Sequence, residues 1–367
     1  MSAAVTVTAD IAVIGGGIAG MSVAAELGAS ATVVVLEQER ELAYHASGRS
    51  AAAFLESYGS PEIRTLTRAS RPLFEAAGER LLSPRPMLWI ASEAGAAELA
   101  GLLAEEPSLR RIEVGEALDY CPSLRAEWLA GVAVEDAAQD LDVAALFDHY
   151  RRLGLARGVR LLTATGVTGA HRAGGGWRLE TAQGRVEVGR VVNAAGAWAD
   201  EVAARHGVAR LGLAPLRRTV AIVSCPAVAR TWPLVCDVLD GFYFRPEGDA
   251  LLLSPVDETP SEPIDVRPDT VDIALAIERA NEATTLELRH VRRAWAGLRT
   301  FAADRNPVVG PDPAEPTFFW LAGQGGYGMQ TAPAMAWLAA AVILGDGPPP
   351  GLTEVAARLD PGRFRAA

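Results

Sequence analysis

The sequence predicts an α/β protein: a parallel sheet with helices on both faces, interleaved with a smaller α+β domain on a mostly antiparallel sheet. Three observations carry this. The apolar run Ile11-Ala12-Val13-Ile14 leads straight into Gly15-Gly16-Gly17-Ile18-Ala19-Gly20. A second apolar strand, starting at Thr32, ends on an acid, Glu37. Two strand-rich stretches, 84–141 and 210–294, interrupt the helical pattern and are assigned to the smaller domain. Segments 1–83, 142–209 and 295–367 are assigned to the larger one. At 367 residues and 50% hydrophobic content the chain is long for a single core.

The first element is a strand ending in G-x-G-x-x-G, followed by a helix from Ile18 to Leu27. That order is the Rossmann dinucleotide fingerprint. Gly15 permits the tight turn, Gly17 lets the backbone approach a pyrophosphate, and Gly20 lets the helix press on the strand. Free amides at the helix start favour phosphates. Glu37, about 20 residues on, is placed to accept the ribose hydroxyls.

Further along, Pro61 to Leu82 reads as a helix with Leu66, Leu73, Phe74 and Leu81 on an apolar stripe. Pro72 predicts a kink or two shorter helices. Ser83-Pro84-Arg85-Pro86 ends it. Met87 to Ala91 reads as a strand, Glu93 to Glu105 as a helix, and Asp142 to Arg157 as a helix capped by Asp142. Leu161 to Thr165 reads as a strand. Trp177 to Thr181 and Arg185 to Val188 read as a hairpin. Arg190 to Trp198 is a buried strand ending in small residues, with a helix beginning at Asp200. Pro215 to Ser224 and Gly241 to Leu253 are strand-rich. Val271 to Ala283 is a helix with Ile273, Ala276 and Ile277 inward. Leu286 to Phe301 is a strand, Asn306 to Gly310 a turn, and Phe318 to Ala322 a last strand. The helix from Ala332 carries Pro333 in its first turn, where a missing N–H is harmless.

The order G-x-G-x-x-G, Glu37, then Ser47-Gly48-Arg49-Ser50-Ala51-Ala52 resembles the FAD-dependent D-amino acid oxidoreductase family. That group includes glycine oxidase, sarcosine oxidase and D-amino acid dehydrogenases, and bacterial D-arginine dehydrogenase is the nearest resemblance. The resemblance covers nearly the whole chain. It implies a glutathione-reductase-like FAD-binding domain and a non-covalent FAD, no cysteine standing in the loops near the flavin. The cofactor residues it implies are Gly15, Gly17, Ile18, Ala19, Gly20, Glu37 and Gln38 in the first unit. Ser47, Gly48, Arg49, Ser50, Ala51 and Ala52 follow in the next loop. Val167, Ala194, Gly196 and Trp198 come next, then Gly325, Gly326, Tyr327, Gly328, Met329, Gln330 and Thr331. A glycine-rich loop feeding a helix start presents amides and a positive dipole end to the flavin.

An amino acid substrate needs its carboxylate held, and a planar guanidinium does this bidentately. Arg299 is the first candidate, by resemblance the carboxylate clamp. Arg218 is the second. Tyr243 and Tyr58 are candidates for hydroxyls that reach the substrate. Ala53, Leu55, Met87, Gly326 and Met329 are assigned to the substrate pocket. Met87, Ala53 and Leu55 stand where an arginine-preferring relative would carry polar residues. An uncharged or hydrophobic D-amino acid is therefore expected, oxidised at Cα–N to an imino acid that hydrolyses to a 2-oxo acid and ammonia. The alternatives are an oxygen-using oxidase of glycine, sarcosine or another secondary amine, and a non-catalytic dinucleotide-binding module. The electron acceptor is unassigned.

A net charge of −11 argues against nucleic acid. Cys121, Cys225 and Cys236 lack metal or redox spacing and read as small buried groups in a reducing compartment. The histidines are scattered, and His45 near the flavin loop reads as packing. No leader precedes Asp10, and Ala332 to Leu344 is far short of the roughly 20 residues that span a bilayer. A cytoplasmic protein is expected.

Overall fold

A computed structural model describes residues 6–78 and 80–364. Residues 1–5, where no leader is expected, lie outside the described residues with 79 and 365–367. Among the described residues the first sheet has eight strands, five of them parallel. Thr6–Ile14 pairs with Val33–Leu36 on one side and Gly184–Asn193 on the other. Arg160–Leu162 extends one edge and Phe318–Ala322 the other. Ile11, Val13, Val33 and Val35 face helices Ile18–Leu27, Val143–Ala156 and Gly328–Leu344 in one apolar layer. Ala12, Ile14, Val34 and Leu36 face a second layer with Trp177, Val202, Phe318 and Trp320. A sheet buried on both faces explains why its strands read as continuous apolar runs.

Several elements differ from the sequence reading. The return strand of the hairpin and the strand entering Asn193 are one element, Gly184–Asn193. Its first half pairs with Gly176–Thr181 and its last residues with Phe318–Ala322. Helix Pro61–Ala76 is unbroken at Pro72 and stops short of Leu82. Pro72 and Arg68 are both exposed, so the carbonyl that Pro72 leaves without an amide faces water. Leu82–Pro84 is a strand, joined with Ala53–Phe54 and Gln139–Leu141 in a three-stranded sheet. That sheet straddles the expected border at 83/84 and joins residues assigned to both domains. The last long helix starts at Gly328, so Pro333 lies in its interior rather than its first turn. The next amide, Ala334 N–H, donates to Ser70 Oγ (3.1 Å) on the neighbouring helix. Val308–Pro311 is a strand, not only a turn, because it pairs with Phe318–Ala322.

Among the described residues the second sheet has nine strands, and only Met87–Ala91 and Leu234–Asp237 pair in parallel within it. Val291–Phe301 runs antiparallel to Ala214–Ser224, from Ala214 opposite Phe301 to Val223 opposite Val291. The expected border at 294/295 therefore falls inside a strand. One face, with Leu88, Val132, Ala221 and Phe244, is covered by helix Thr270–Ala283 through Ile273, Ala276 and Ala280. The other, with Met87, Trp89, Val220, Cys236 and Tyr243, is turned toward the first sheet. Among the described residues no helix is long and apolar enough to cross a membrane.

His206 closes the second apolar layer. It is 6% exposed, its ring meets Trp177 edge-on (centroids 5.0 Å) and Phe318 at a tilt (5.2 Å), and Nδ1 contacts the Val202 carbonyl (2.7 Å). Burial lowers its pKa from 6.5 to about 4. The unfolded chain then takes the proton first, so stability falls as pH drops from 6.5 and the loss levels off near 4. About 3 kcal/mol is expected to be lost across that window through this residue. Urea midpoints of wild type and His206→Phe at pH 7 and pH 4 check this: the variant should lose less, and parallel pH curves would refute it.

Candidate active site

The first strand delivers the chain to Gly15, whose φ is +109° and whose Cβ would sit 2.4 Å from the Ala194 carbonyl oxygen. Only glycine makes that turn against that neighbour. A Cβ at Gly20 would meet the Gly15 carbonyl oxygen at 1.9 Å, so the helix lies directly on the turn, as its motif position requires. Glu37 ends the second strand with its carboxylate already fixed: Gly16 N–H donates to Oε2 (2.6 Å) and Glu39 N–H to Oε1 (2.8 Å). Ser47 Oγ accepts from Ile18 N–H (2.9 Å), tying the serine loop to the helix start.

One continuous cavity runs from Glu37 and Gln38, past Gly15, Gly17, Ile18, Ala19 and Ser47, to Arg299. It lies at the carboxyl ends of the parallel strands, where open α/β sheets bind ligands. Arg49, Ser50, Ala51, Ala52, Val167, Ala194, Gly196 and Trp198 line it as well. So do Gly325, Gly326, Gly328, Met329 and Gln330 at the amino end of helix Gly328–Leu344, a position that offers amides and a positive dipole end. The glycine turn, the ordered acid and these two helix starts fit a long ligand bearing phosphates and a ribose.

Four of the expected contact residues do not line the cavity. Gly20 is spent on helix packing. Gly48 lies against the Ala43 carbonyl, which its Cβ would meet at 2.5 Å. Thr331 is fully buried and donates within its helix to the Tyr327 carbonyl (2.9 Å). Tyr327 turns its ring toward Tyr58, with centroids 5.0 Å apart. Arg49 does line the wall, but it is engaged there. Nη2 pairs with Asp265 (2.6 Å) and Nη1 donates to the Ala296 carbonyl (2.8 Å), so it clasps two loops together.

At the far end, Arg299 and Gly326 are in contact: a Cβ on Gly326 would meet Arg299 Nη1 at 2.7 Å. Arg299 Nη1 donates to the Tyr58 hydroxyl (3.4 Å). The Tyr58, Tyr243 and Tyr327 hydroxyls all raise its pKa against the opposing effect of burial, which is the largest. Arg299 has no carboxylate partner among the described residues. Tyr243 is 8% exposed and its hydroxyl has no hydrogen-bond partner among the described residues. Arg218 lines the same cavity but is taken: Nε donates to the Asp257 carbonyl (2.9 Å) and Nη2 to Glu258 (3.1 Å). Glu258 also holds Arg305 through Nη2 (2.8 and 3.0 Å).

Ala53, Leu55, Met87, Gly326 and Met329 all line this end. Sequence reasoning missed Trp89, Val220, Cys236 and Asp240, which line it too. Trp89 was legible, since it is two residues from Met87 on one strand and shares its face. Cys236 stands opposite both Trp89 and Tyr243 in the sheet register, a pairing invisible along the chain. Burial pushes its thiol well above the usual range, so it is no thiolate.

Comparison with known proteins agrees with this architecture. The chain is 26% identical to "FAD-dependent oxidoreductase domain-containing protein 1" of Bos taurus, over 91% of this chain and 81% of that protein. It is 26% identical to glycine oxidase of Geobacillus kaustophilus, over 91% of this chain and 92% of the other. The crystal structure of L-proline dehydrogenase from P. horikoshii superposes with a TM-score of 0.86 at 20% identity, covering 98% of this chain and 99% of that one. The family model of the FAD dependent oxidoreductases, DAO, matches residues 10–342. The chain therefore belongs to the DAO family of FAD-dependent oxidoreductases, and its cofactor is FAD.

Proposed function

We propose that the protein oxidises the Cα–N bond of an amino acid with an uncharged or apolar side chain, its carboxylate held by Arg299. The observation that carries this is the state of Arg299. A buried guanidinium bonded to the Tyr58 hydroxyl, with Tyr243 and Tyr327 nearby and no ion pair to a carboxylate among the described residues, favours an anion from outside. Its fork matches a carboxylate bidentately. Arg218 is neutralised by Glu258, so it shapes the wall and adds less to anion capture.

Gly15, Gly17, Ile18, Glu37 and Ser47 would hold the dinucleotide portion of FAD. The bound flavin supplies a hydride acceptor for the substrate carbon. The chain's residues do the rest. Arg299, with Tyr58 and Tyr243, fixes the acid end and hence the orientation of Cα. Met87, Leu55, Trp89 and Val220 exclude water from the side-chain region. The amino end of helix Gly328–Leu344 stabilises negative charge gained at that end of the cavity. The oxidised amine is an imine, which hydrolyses in water without a side-chain nucleophile. The chain contains no lysine, so no lysine amine competes for the 2-oxo acid product.

The name of the glycine oxidase relative supports an amino acid substrate and leaves the side chain and configuration to experiment. D configuration follows only from the sequence resemblance. A second reading comes from Asp240, a carboxylate that lines the same cavity and feels Arg218 and Arg299. It offers a partner for a basic side chain that the Met87 position lacks.

Anaerobic bleaching of the flavin across glycine, sarcosine, L-proline and the D and L forms of leucine, methionine, phenylalanine and arginine tests the proposal. Apolar D-amino acids should bleach fastest. A strong D-arginine preference, abolished by Asp240→Asn, would replace the first reading by the second. Bleaching by none would remove both. Peroxide formed under air separates an oxidase from a dehydrogenase.

Arg299→Met should lower kcat/KM about 10³-fold, the cost of stranding a carboxylate without its charged partner. Flavin content should stay at wild-type level, and an unchanged KM would refute the clamp. Gly326→Ala meets only the flexible end of Arg299, so the protein should fold and bind FAD. It should nevertheless lose about 10- to 100-fold in kcat/KM, because the clamp is displaced. Steady-state kinetics of this variant with normal flavin loading checks that outcome.

A further inference from the structure

The segment that presents Tyr58 to Arg299 runs from Leu55 to Ser60 and belongs to no strand or helix. With no ladder to hold it, its position depends on side-chain ties. Gln330 grips Leu55 from both sides, accepting its N–H at Oε1 (3.3 Å) and donating Nε2 to its carbonyl (3.3 Å). Ser60 Oγ donates to Asn306 (2.5 Å) and caps the next helix. Between these lies the strongest tie. Glu135, at the end of strand Gly131–Glu135 in the second sheet, is 1% exposed. Its Oε1 accepts from Glu56 N–H (2.8 Å) and Ser57 N–H (3.3 Å), and its Oε2 accepts from the Ser57 hydroxyl.

Three donors from two consecutive residues converge on one buried carboxylate, and all three are neutral. Glu135 makes no ion pair among the described residues. The neighbouring Glu56 turns its own carboxylate the other way, to Arg71 (2.5 Å). Burying a charge without a counter-ion costs stability unless hydrogen bonds compensate. An apolar residue here would leave those three donors without their acceptor, so the carboxylate fixes the path of the backbone that carries them. What it orients is the next residue, Tyr58. Immediately after it, Gly59 adopts a φ of +96° and packs so closely that a Cβ would meet Ile63 at 2.8 Å and the Tyr327 ring at 3.0 Å. The Tyr58 hydroxyl is thus delivered to Arg299 by a pinned backbone rather than by its own rotamer alone.

We infer that Glu135 is a positioning residue for substrate: its carboxylate fixes the 55–60 segment so that Tyr58 shares the substrate carboxylate with Arg299. Glu135 touches neither group. The inference rests on the reading of Arg299 as the carboxylate clamp.

The test uses the FAD-loaded enzyme with Glu135→Gln, Tyr58→Phe and the double variant. Glu135→Gln keeps the shape but replaces one acceptor oxygen by a donor. It should speed hydrogen exchange of the 55–60 amides about tenfold, raise KM about tenfold, and leave kcat within about threefold and flavin content unchanged. Tyr58→Phe should raise KM as well, and the two effects should not multiply: in the Tyr58→Phe background, Glu135→Gln should add less than about twofold. A purely structural role would give independent effects, so multiplicative losses overturn the inference. Faster exchange with unchanged KM overturns it too. Should Glu135→Gln fail to fold, Ser57→Ala removes one of the three donors and should shift KM in the same direction with the same dependence on Tyr58. If Arg299→Met leaves KM unchanged, the clamp itself falls and this role with it. If Arg299 is upheld and the cycle is additive, only Glu135 falls.

Discussion

A guanidinium enclosed by protein needs an anion, and at Arg299 the described residues supply none in an ion pair. Among those residues every other arginine lining the cavity has a partner: Arg49 has Asp265, Arg205 has Glu201, and Arg218 has Glu258, which Arg305 shares. Arg299 has the Tyr58 hydroxyl, which can share a hydrogen bond but cannot neutralise a charge. In the function proposed above, that unmet demand is what draws a carboxylate from solution. The surrounding architecture serves it. Gly326 leaves the volume that the guanidinium fills, the 55–60 segment brings a hydroxyl, and strand Val291–Phe301 carries the arginine across from one sheet toward the other.

The site exists because two sheets share one cavity. The parallel sheet contributes its strand ends and two helix starts, which suit phosphates, a ribose and a reducible ring. The antiparallel sheet contributes a wall of side chains two residues apart, Met87 with Trp89 and Arg218 with Val220, whose alternate neighbours face helix Thr270–Ala283. Strand periodicity therefore sorts each residue of this sheet either to the substrate or to a structural core. Loop ties then hold the two systems in register. Arg49 to Asp265 and Glu135 to Ser57 both join a loop of the cofactor side to an element of the substrate side.

Much of this was legible in advance. The turn at Gly15, the packing at Gly20 and the acid at Glu37 follow from local rules: a strand, a positive φ, a helix and a second strand within forty residues. Arg299 was named as the candidate clamp from the family resemblance, and the structure places it against the glycine-rich loop at Gly326. The expected contacts that fall outside the cavity lining share a cause. Tyr327, Thr331 and Gly48 sit inside motifs whose neighbours line the cavity, yet each side chain or hydrogen position is consumed by local packing. Pro72 was read as a break, but an exposed carbonyl tolerates the missing amide.

By itself the sequence determined the fold class, the dinucleotide cradle and the identity of the candidate clamp, because those depend on neighbours close along the chain. Only the tertiary structure decided which cavity arginine has no counter-ion among the described residues. That depends on Asp265, Glu258 and Asp257, which come from loops far from Arg49 and Arg218 in sequence. It also decided the roles of Trp89, Cys236 and Glu135. These are set by strand register and loop placement, and charge balance in a cavity is a sum over residues that meet only once the chain is folded.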